Sequence, residues 1–165
     1  MSDLKYEHKM RLKFNQYSSR TAYKRLKEGI NTNNDHEIYA ATGELLLWIM
    51  TTDEWHLEHG MEDYIDRRNK NKNGMLLNGM RHAYNMMKHN MGFFQIHQKE
   101  GGLKFPVRFP VNFKITVRWV VAGEVLNGTY PNQKQNYIKH LEGKEVIQTF
   151  SQVLTFLNVE NQKFH

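Results

Sequence analysis

Residues 4–14, LKYEHKMRLKF, alternate apolar and polar side chains. Leu4, Tyr6, His8, Met10, Leu12 and Phe14 fall on one side and Lys5, Glu7, Lys9, Arg11 and Lys13 on the other, and this period of two predicts a strand. A second alternation crosses residues 105–121, with Val107, Phe109, Val111, Phe113, Ile115, Val117, Trp119 and Val121 set against Arg108, Asn112, Lys114, Thr116 and Arg118, and with Pro106 and Pro110 at its edge. Each strand has one apolar and one basic face. The simplest arrangement pairs residues 4–14 with residues 111–121 as a β-ribbon laid over helices, because two strands alone bury too little.

Elsewhere the period is three and four. At NNDHE, Asn34 is positioned to cap a helix with Glu37 three residues on, and Ile38, Ala41, Leu45, Trp48, Ile49 and Thr52 follow as its apolar stripe to about His56 or beyond. Arg20 to Glu28 predicts a short helix closed by Gly29. The asparagine-rich tract DRRNKNKNG at 66–74 reads as a loop. A second long helix is expected from about Met75 to Met91, with Leu76, Met80, Ala83 and Met87 inward. Pro131 opens a helix through Tyr137 and Leu141 that stops at Gly143, and Val146, Phe150, Val153, Leu154 and Leu157 mark a last one. The expectation is a single domain over residues 1–165, mainly α, with a helical core at 35–95 and 131–158 and the ribbon as decoration.

Composition narrows the chemistry. There is no cysteine, which removes disulfides, thiolate metal sites and cysteine nucleophiles. The glycines spell neither GxxxxGK[ST] nor GxGxxG, and no serine stands in GxSxG, so neither a phosphate loop nor an acyl-transfer site is expected. No run approaches the ~18 apolar residues of a membrane span, and the opening residues lack a secretory apolar core, which sets the expectation of a cytoplasmic protein away from membranes. The net charge of +6 suits a phosphate-bearing partner. Lys9, Arg11, Lys13, Arg108, Lys114 and Arg118 on the predicted ribbon would supply such a face, although lysine on an edge strand also guards against aggregation.

Two clusters have the composition of sites. In GMRHAYNMMKHN, residues 79–90, His82, Asn85 and His89 recur at helical spacing, with Arg81 one turn before Asn85. Histidine exchanges protons near neutral pH and arginine grips phosphate through paired hydrogen bonds. The same spacing also describes the solvated face of a helix whose other face is methionine. In DEWHLEHGMED, residues 53–63, Asp53, His56 and His59 step by three beside Glu58, Glu62 and Asp63, which fits either a solvated helix end or a metal site. The spacing is not that of HExxH, so no metal and no cofactor are expected.

The order HEIYAATGELLLWIMTTDEWH, EDYIDRRN, NGMRHAYNMMKHN, YIKHLEGKEVIQTFSQVLTFL resembles small bacterial and phage proteins with HEPN-like helical domains, the higher eukaryotes and prokaryotes nucleotide-binding group. Tyr64 and Arg68 match the group's Tyr-x-x-x-Arg element, Arg81, Ala83, Asn85 and His89 match its motif helix, and Tyr137, Leu141, Gly143 and Lys144 match its closing step. The resemblance implies a HEPN-like bundle of four to five helices, a homodimer with the two motifs facing, and RNA or a ribonucleoprotein as partner. In active members it implies an Arg-x(4–6)-His pair that cuts RNA without metal, which would assign catalysis to Arg81, Asn85 and His89 and RNA contacts to His82, Tyr84, Lys88 and Arg68.

The pattern departs at that pair. Arg81 precedes His89 by seven intervening residues, and Tyr84 occupies the position with four. A tyrosine brings no positive charge, so cleavage loses its guanidinium unless Arg81 or Lys88 substitutes. Two readings follow from the resemblance: a metal-independent endoribonuclease of phage defence or a toxin–antitoxin pair, and a silent module that binds RNA, a ribonucleoprotein or a protein partner, such as a phage-encoded inhibitor of immunity. A protein partner on the aromatic stretch Phe105 to Trp119 is a further option.

Overall fold

The computed structural model describes residues 5–89, 97–101, 114–122 and 130–164. The chain is mainly helical: α1 Tyr6–Asn31, α2 Asp35–His59, α3 Tyr64–Lys70, α4 Leu76–His89, α5 Pro131–His140 and α6 Val146–Gln162, with β1 His97–Glu100 and β2 Thr116–Trp119.

The first strand expectation is overturned. From Tyr6 onward the LKYEHKMRLKF stretch is the start of α1, which runs unbroken through NQYSS and through the segment expected as a separate short helix. Its buried positions are Leu12, Asn15, Ser19, Ala22, Leu26 and Gly29, spaced by three and four. Half of them are polar or lack a side chain, so the helical stripe is hidden in a hydropathy reading while Lys9, Arg11 and Lys13 around Met10 and Leu12 imitate alternation. Ser19 Oγ donates to the Asn15 carbonyl at 2.8 Å and Arg11 Nε to Asn15 Oδ1 at 3.2 Å, so most of the polar content of the stripe is bonded locally. Small residues there let α1 pack closely along α2.

The turn between them uses Asn33 at φ 51°, a left-handed conformation that asparagine tolerates. Asn34 caps α2 as expected, its side chain accepting from Glu37 N at 3.1 Å. Ile38, Ala41, Leu45, Ile49 and Thr52 are buried as their spacing predicts. The DRRNKNKNG loop is shorter than expected: its first half belongs to α3, held by the Arg67–Asp63 and Lys70–Asp66 pairs one turn apart, and only Asn71–Gly74 turn, with Asn71 Oδ1 accepting from Asn73 N and Gly74 N.

The ribbon is also different. β2 pairs antiparallel with β1, in register His97 to Trp119 and Glu100 to Thr116, and not with residues 4–14. HQKE gives β1 no apolar alternation to read, and only His97 of it is buried. The expected strand residues 105–113 lie outside the described residues. β2 is clamped on its other side, where Trp119 N donates to the Lys144 carbonyl and Gly143 N to the Trp119 carbonyl, both at 3.0 Å. The buried Trp119 indole donates to Thr149 Oγ1 at 2.9 Å and packs edge-on against Phe150, and Tyr137 donates to the Val120 carbonyl at 2.6 Å. The small sheet thus closes the end of the core where α5 and α6 meet. Pro131 at the start of α5 and the inward Val146, Phe150, Val153 and Leu157 of α6 agree with the sequence reading.

Candidate nucleic-acid interface

α4 carries the GMRHAYNMMKHN stretch as far as His89. Leu76, Leu77, Met80, Ala83 and Met86 are buried, while Arg81, Asn85, Lys88 and His89 lie on the opposite stripe. Four expected site residues therefore share one face. His82 does not. It is 1% exposed and its ring packs 5.5 Å from that of Tyr137, so its expected role as an RNA contact is corrected to a core position between α4 and α5. Burial, then the nearby Lys134 charge, holds its pKa below the ordinary histidine range, and its Nε2 has no partner among the described residues. Tyr84 is half-buried against the core with the Lys88 ammonium 5.7 Å from its ring centroid.

Arg81 is tied down. Its Nη1 donates to Glu54 Oε1 at 2.5 Å and its Nη2 to Asp53 Oδ2 at 3.1 Å. Arg68 Nη1 donates to Asp53 Oδ1 and Oδ2 at 3.1 and 2.9 Å, and Tyr64 donates its hydroxyl to Asp53 Oδ1 at 2.7 Å. The Tyr-x-x-x-Arg element and the motif arginine thus converge on one carboxylate that is 1% exposed. Two arginines face two carboxylates, so the group is electrically balanced and presents little charge to an incoming phosphate. Burial, then the Asp53 charge, drives the Tyr64 phenol far above its ordinary range, which keeps it a hydrogen-bond donor.

The second sequence cluster is divided: Asp53 and His56 are buried, His59 is partly covered, and Glu58, Glu62 and Asp63 are exposed, as on a solvated helix end. His56 is 1% exposed, stacks on Tyr64 at 4.9 Å between centroids and meets Asn161 Oδ1 through Nε2 at 2.7 Å. His59 turns the other way, against His8 at 4.1 Å. Among the described residues no group of three or more histidine, aspartate or glutamate side chains is placed to hold a metal ion. Beside this cluster a groove of about 470 Å³ opens between α3 and α6, lined in part by Arg67, Lys70, Asn73 and Val159. Its cations are largely spent on Glu160, which Arg67 and Lys163 contact at 2.7 and 3.0 Å. Burial alone would raise the Glu160 carboxyl, but those two hydrogen bonds outweigh it and hold it below the usual range.

Of the remaining expected contacts, Asn85 Nδ2 donates to Gln133 Oε1 on α5 at 2.8 Å, and Lys88 and His89 are exposed in the last turn, where positive charge also suits the helix dipole. Lys9 and Lys13 are exposed on α1 and Arg11 leans on Asn15. Arg118, on β2, donates to Glu100 at 2.8 Å and to the Gly143 carbonyl at 3.1 Å. Lys114 is exposed, and Arg108 lies outside the described residues. The continuous basic ribbon is therefore divided between α1 and β2. Sequence reasoning missed Asp53 as the hub, because nothing in its spacing ties it to Tyr64, Arg68 or Arg81.

No helix among the described residues is long and apolar enough to cross a membrane. Neither a protein-family model, nor a curated protein, nor a solved structure matches the chain.

Proposed function

We propose that the protein is a HEPN-like module that binds RNA and does not cut it. The observation carrying this reading is the state of Arg81: both terminal nitrogens of its guanidinium are taken up by Asp53 and Glu54. The position at the spacing used for cleavage holds the half-buried Tyr84, and His82 is sealed in the core. What the motif face still offers is Lys88, His89 and the outer side of Asn85, enough to contact phosphate and ribose without the guanidinium that stabilises a cleavage transition state. The order of α2, α3 with Tyr64 and Arg68, and α4 with Arg81 supports the HEPN-like reading, as does the net charge of +6 the RNA partner.

The test is to incubate wild type and His89→Ala with total RNA in EDTA. The expected result is intact RNA and a mobility shift that fades with salt. Fragments that disappear in His89→Ala would establish the endoribonuclease instead.

A further inference from the structure

We propose that the outer face of α1 is a single-stranded RNA track, with phosphates along a row of cations and bases against tyrosine rings. The proposal rests on the reading of the protein as an RNA binder and adds a surface away from the motif helix.

At about 100° per residue, Lys9, Lys13, Tyr17, Arg20, Lys24 and Lys27 fall within an arc of about 80°, directly opposite the buried Asn15, Ala22 and Gly29, and Tyr6 lies in the same arc. All are exposed. From Tyr6 to Lys27 the track is about 30 Å long at 1.5 Å per residue. Close packing of the inner stripe on α2 holds the spacing rigid, so the cations need no ordering beyond their own side chains.

Charge pairing sets this face apart from the cations that tie elements of the fold together. Arg25, Arg67, Arg68, Arg81, Lys99, Arg118 and Lys163 all meet carboxylates. Lys9, Lys13, Arg20, Lys24 and Lys27 meet none among the described residues, and the two acids of α1, Glu7 and Glu28, stand at the flank of the track and at its far end. Five exposed cations without a carboxylate partner are thus aligned along one face of one helix.

A merely solvated lysine face has no use for large exposed rings. Tyr6 is 73% exposed and Tyr17 72%, with Phe14 at 60% on the flank. Alternating cations and aromatic faces is the composition that binds single strands, because phosphate neutralisation supplies affinity and every base has a face to stack. A duplex hides those faces. A membrane surface would require a broad apolar face buried among lipid, and this arc carries none.

The test is anisotropy of a labelled U-rich 20-nucleotide RNA, its duplex and anionic phosphatidylserine vesicles, using the full chain. Wild type is expected to prefer the single strand. Lys13→Glu with Lys24→Glu should lose about tenfold or more at low salt and flatten the slope of log K against log salt by about 1.4, as expected for two phosphate contacts. Tyr6→Ala with Tyr17→Ala should lose about tenfold with the slope unchanged. Circular dichroism must match wild type, which exposed positions on a long helix permit. Unchanged RNA affinity in both α1 variants, with loss in Lys88→Glu, overturns the track and leaves the RNA-binding function standing. Absence of RNA binding by wild type overturns both, and binding to vesicles without RNA does the same.

Discussion

Arg68 and Arg81, on different helices, donate to the same oxygen, Oδ2 of Asp53, at 2.9 and 3.1 Å. Three helices are joined through that atom: α2 supplies the carboxylate, α3 and α4 the guanidiniums. With Tyr64 bonded to the other oxygen, Asp53 holds the short polar α3 against the core, to which α3 contributes only Tyr64 as a buried side chain. The network that carries the resemblance to an RNA-cutting motif is, in this chain, a structural joint.

Removing the centre of the joint should therefore cost more than removing a spoke. Asp53→Ala leaves Arg68, whose side chain is 14% exposed, without its countercharge, and stability should fall by about 3–5 kcal/mol. Tyr64→Phe removes one hydrogen bond to a charged acceptor and should cost about 1.5–3 kcal/mol. Urea unfolding followed by circular dichroism reads both. Equal losses would mean that the arginines find other partners.

Glu54 lies at the rim of the joint and holds Arg81 at 2.5 Å. Its side chain is 57% exposed, so the pair adds little to stability, and Glu54→Ala should leave unfolding within about 0.5 kcal/mol of wild type. The same change removes a negative charge from the motif face and releases one arm of the guanidinium. Affinity for RNA should rise about twofold to fivefold at low salt and return toward wild type as salt is added. A fall in affinity would show that Glu54 positions Arg81 for RNA instead of masking it.

The long amphipathic elements were readable from sequence for one reason. Over Ile38 to Ile49 of α2 and Val146 to Leu157 of α6, burial and hydropathy largely coincide, so Ile38, Leu45, Phe150 and Leu157 announce themselves. In α1 they do not: Asn15, Ser19 and Gly29 are buried, while Tyr6, Phe14 and Tyr17 are exposed. There the pattern mixes buried Leu12 with exposed Tyr6 and Phe14 on one apparent face, and the cationic track is invisible until the helix is known. The motif face was half readable, since spacing placed Arg81, Asn85 and His89 together, but it could not supply the tertiary partners that engage Arg81 or the α5 helix that covers His82.

Four buried histidines make stability depend on pH. His56, His82, His97 and His140 all have pKa values held below the ordinary 6.5, in each case chiefly by burial. The unfolded chain takes up protons as pH drops through that value while the folded chain resists. Stability is thus fully present above about pH 6.5 and is lost as pH falls toward the lower folded values. Urea midpoints should change little from pH 7.5 to about 6.5 and then decline toward pH 5.5. His82→Leu, which removes a ring whose Nε2 is unpartnered, should make the decline shallower. An identical slope would mean that His82 stays uncharged for reasons its removal does not touch, or that the other three dominate.

Two glycines near the α4–α5 contact should fail for different reasons. A Cβ at Gly79 would stand 2.9 Å from Leu141 Cγ and 3.1 Å from the Asn136 carbonyl oxygen, so the glycine sets how closely α4 approaches α5. Gly79→Ala would recover about 1 kcal/mol of helix propensity against that clash. Gly79→Val forfeits most of this gain through its branched Cβ and adds two methyl groups to the contact, and it should lower stability by about 1–3 kcal/mol. That corresponds to roughly 2–4 °C in Tm for each kcal/mol. Gly143 has φ +70° and open space around its Cβ position, so its constraint is backbone alone. Gly143→Ala should cost about 1 kcal/mol and Gly143→Asn less, because asparagine enters the left-handed region more readily. Calorimetric melting of the four variants separates the cases. A Gly79→Val protein as stable as wild type would mean that the two helices separate at no cost, and the close α4–α5 contact would then not be what holds His82 away from solvent.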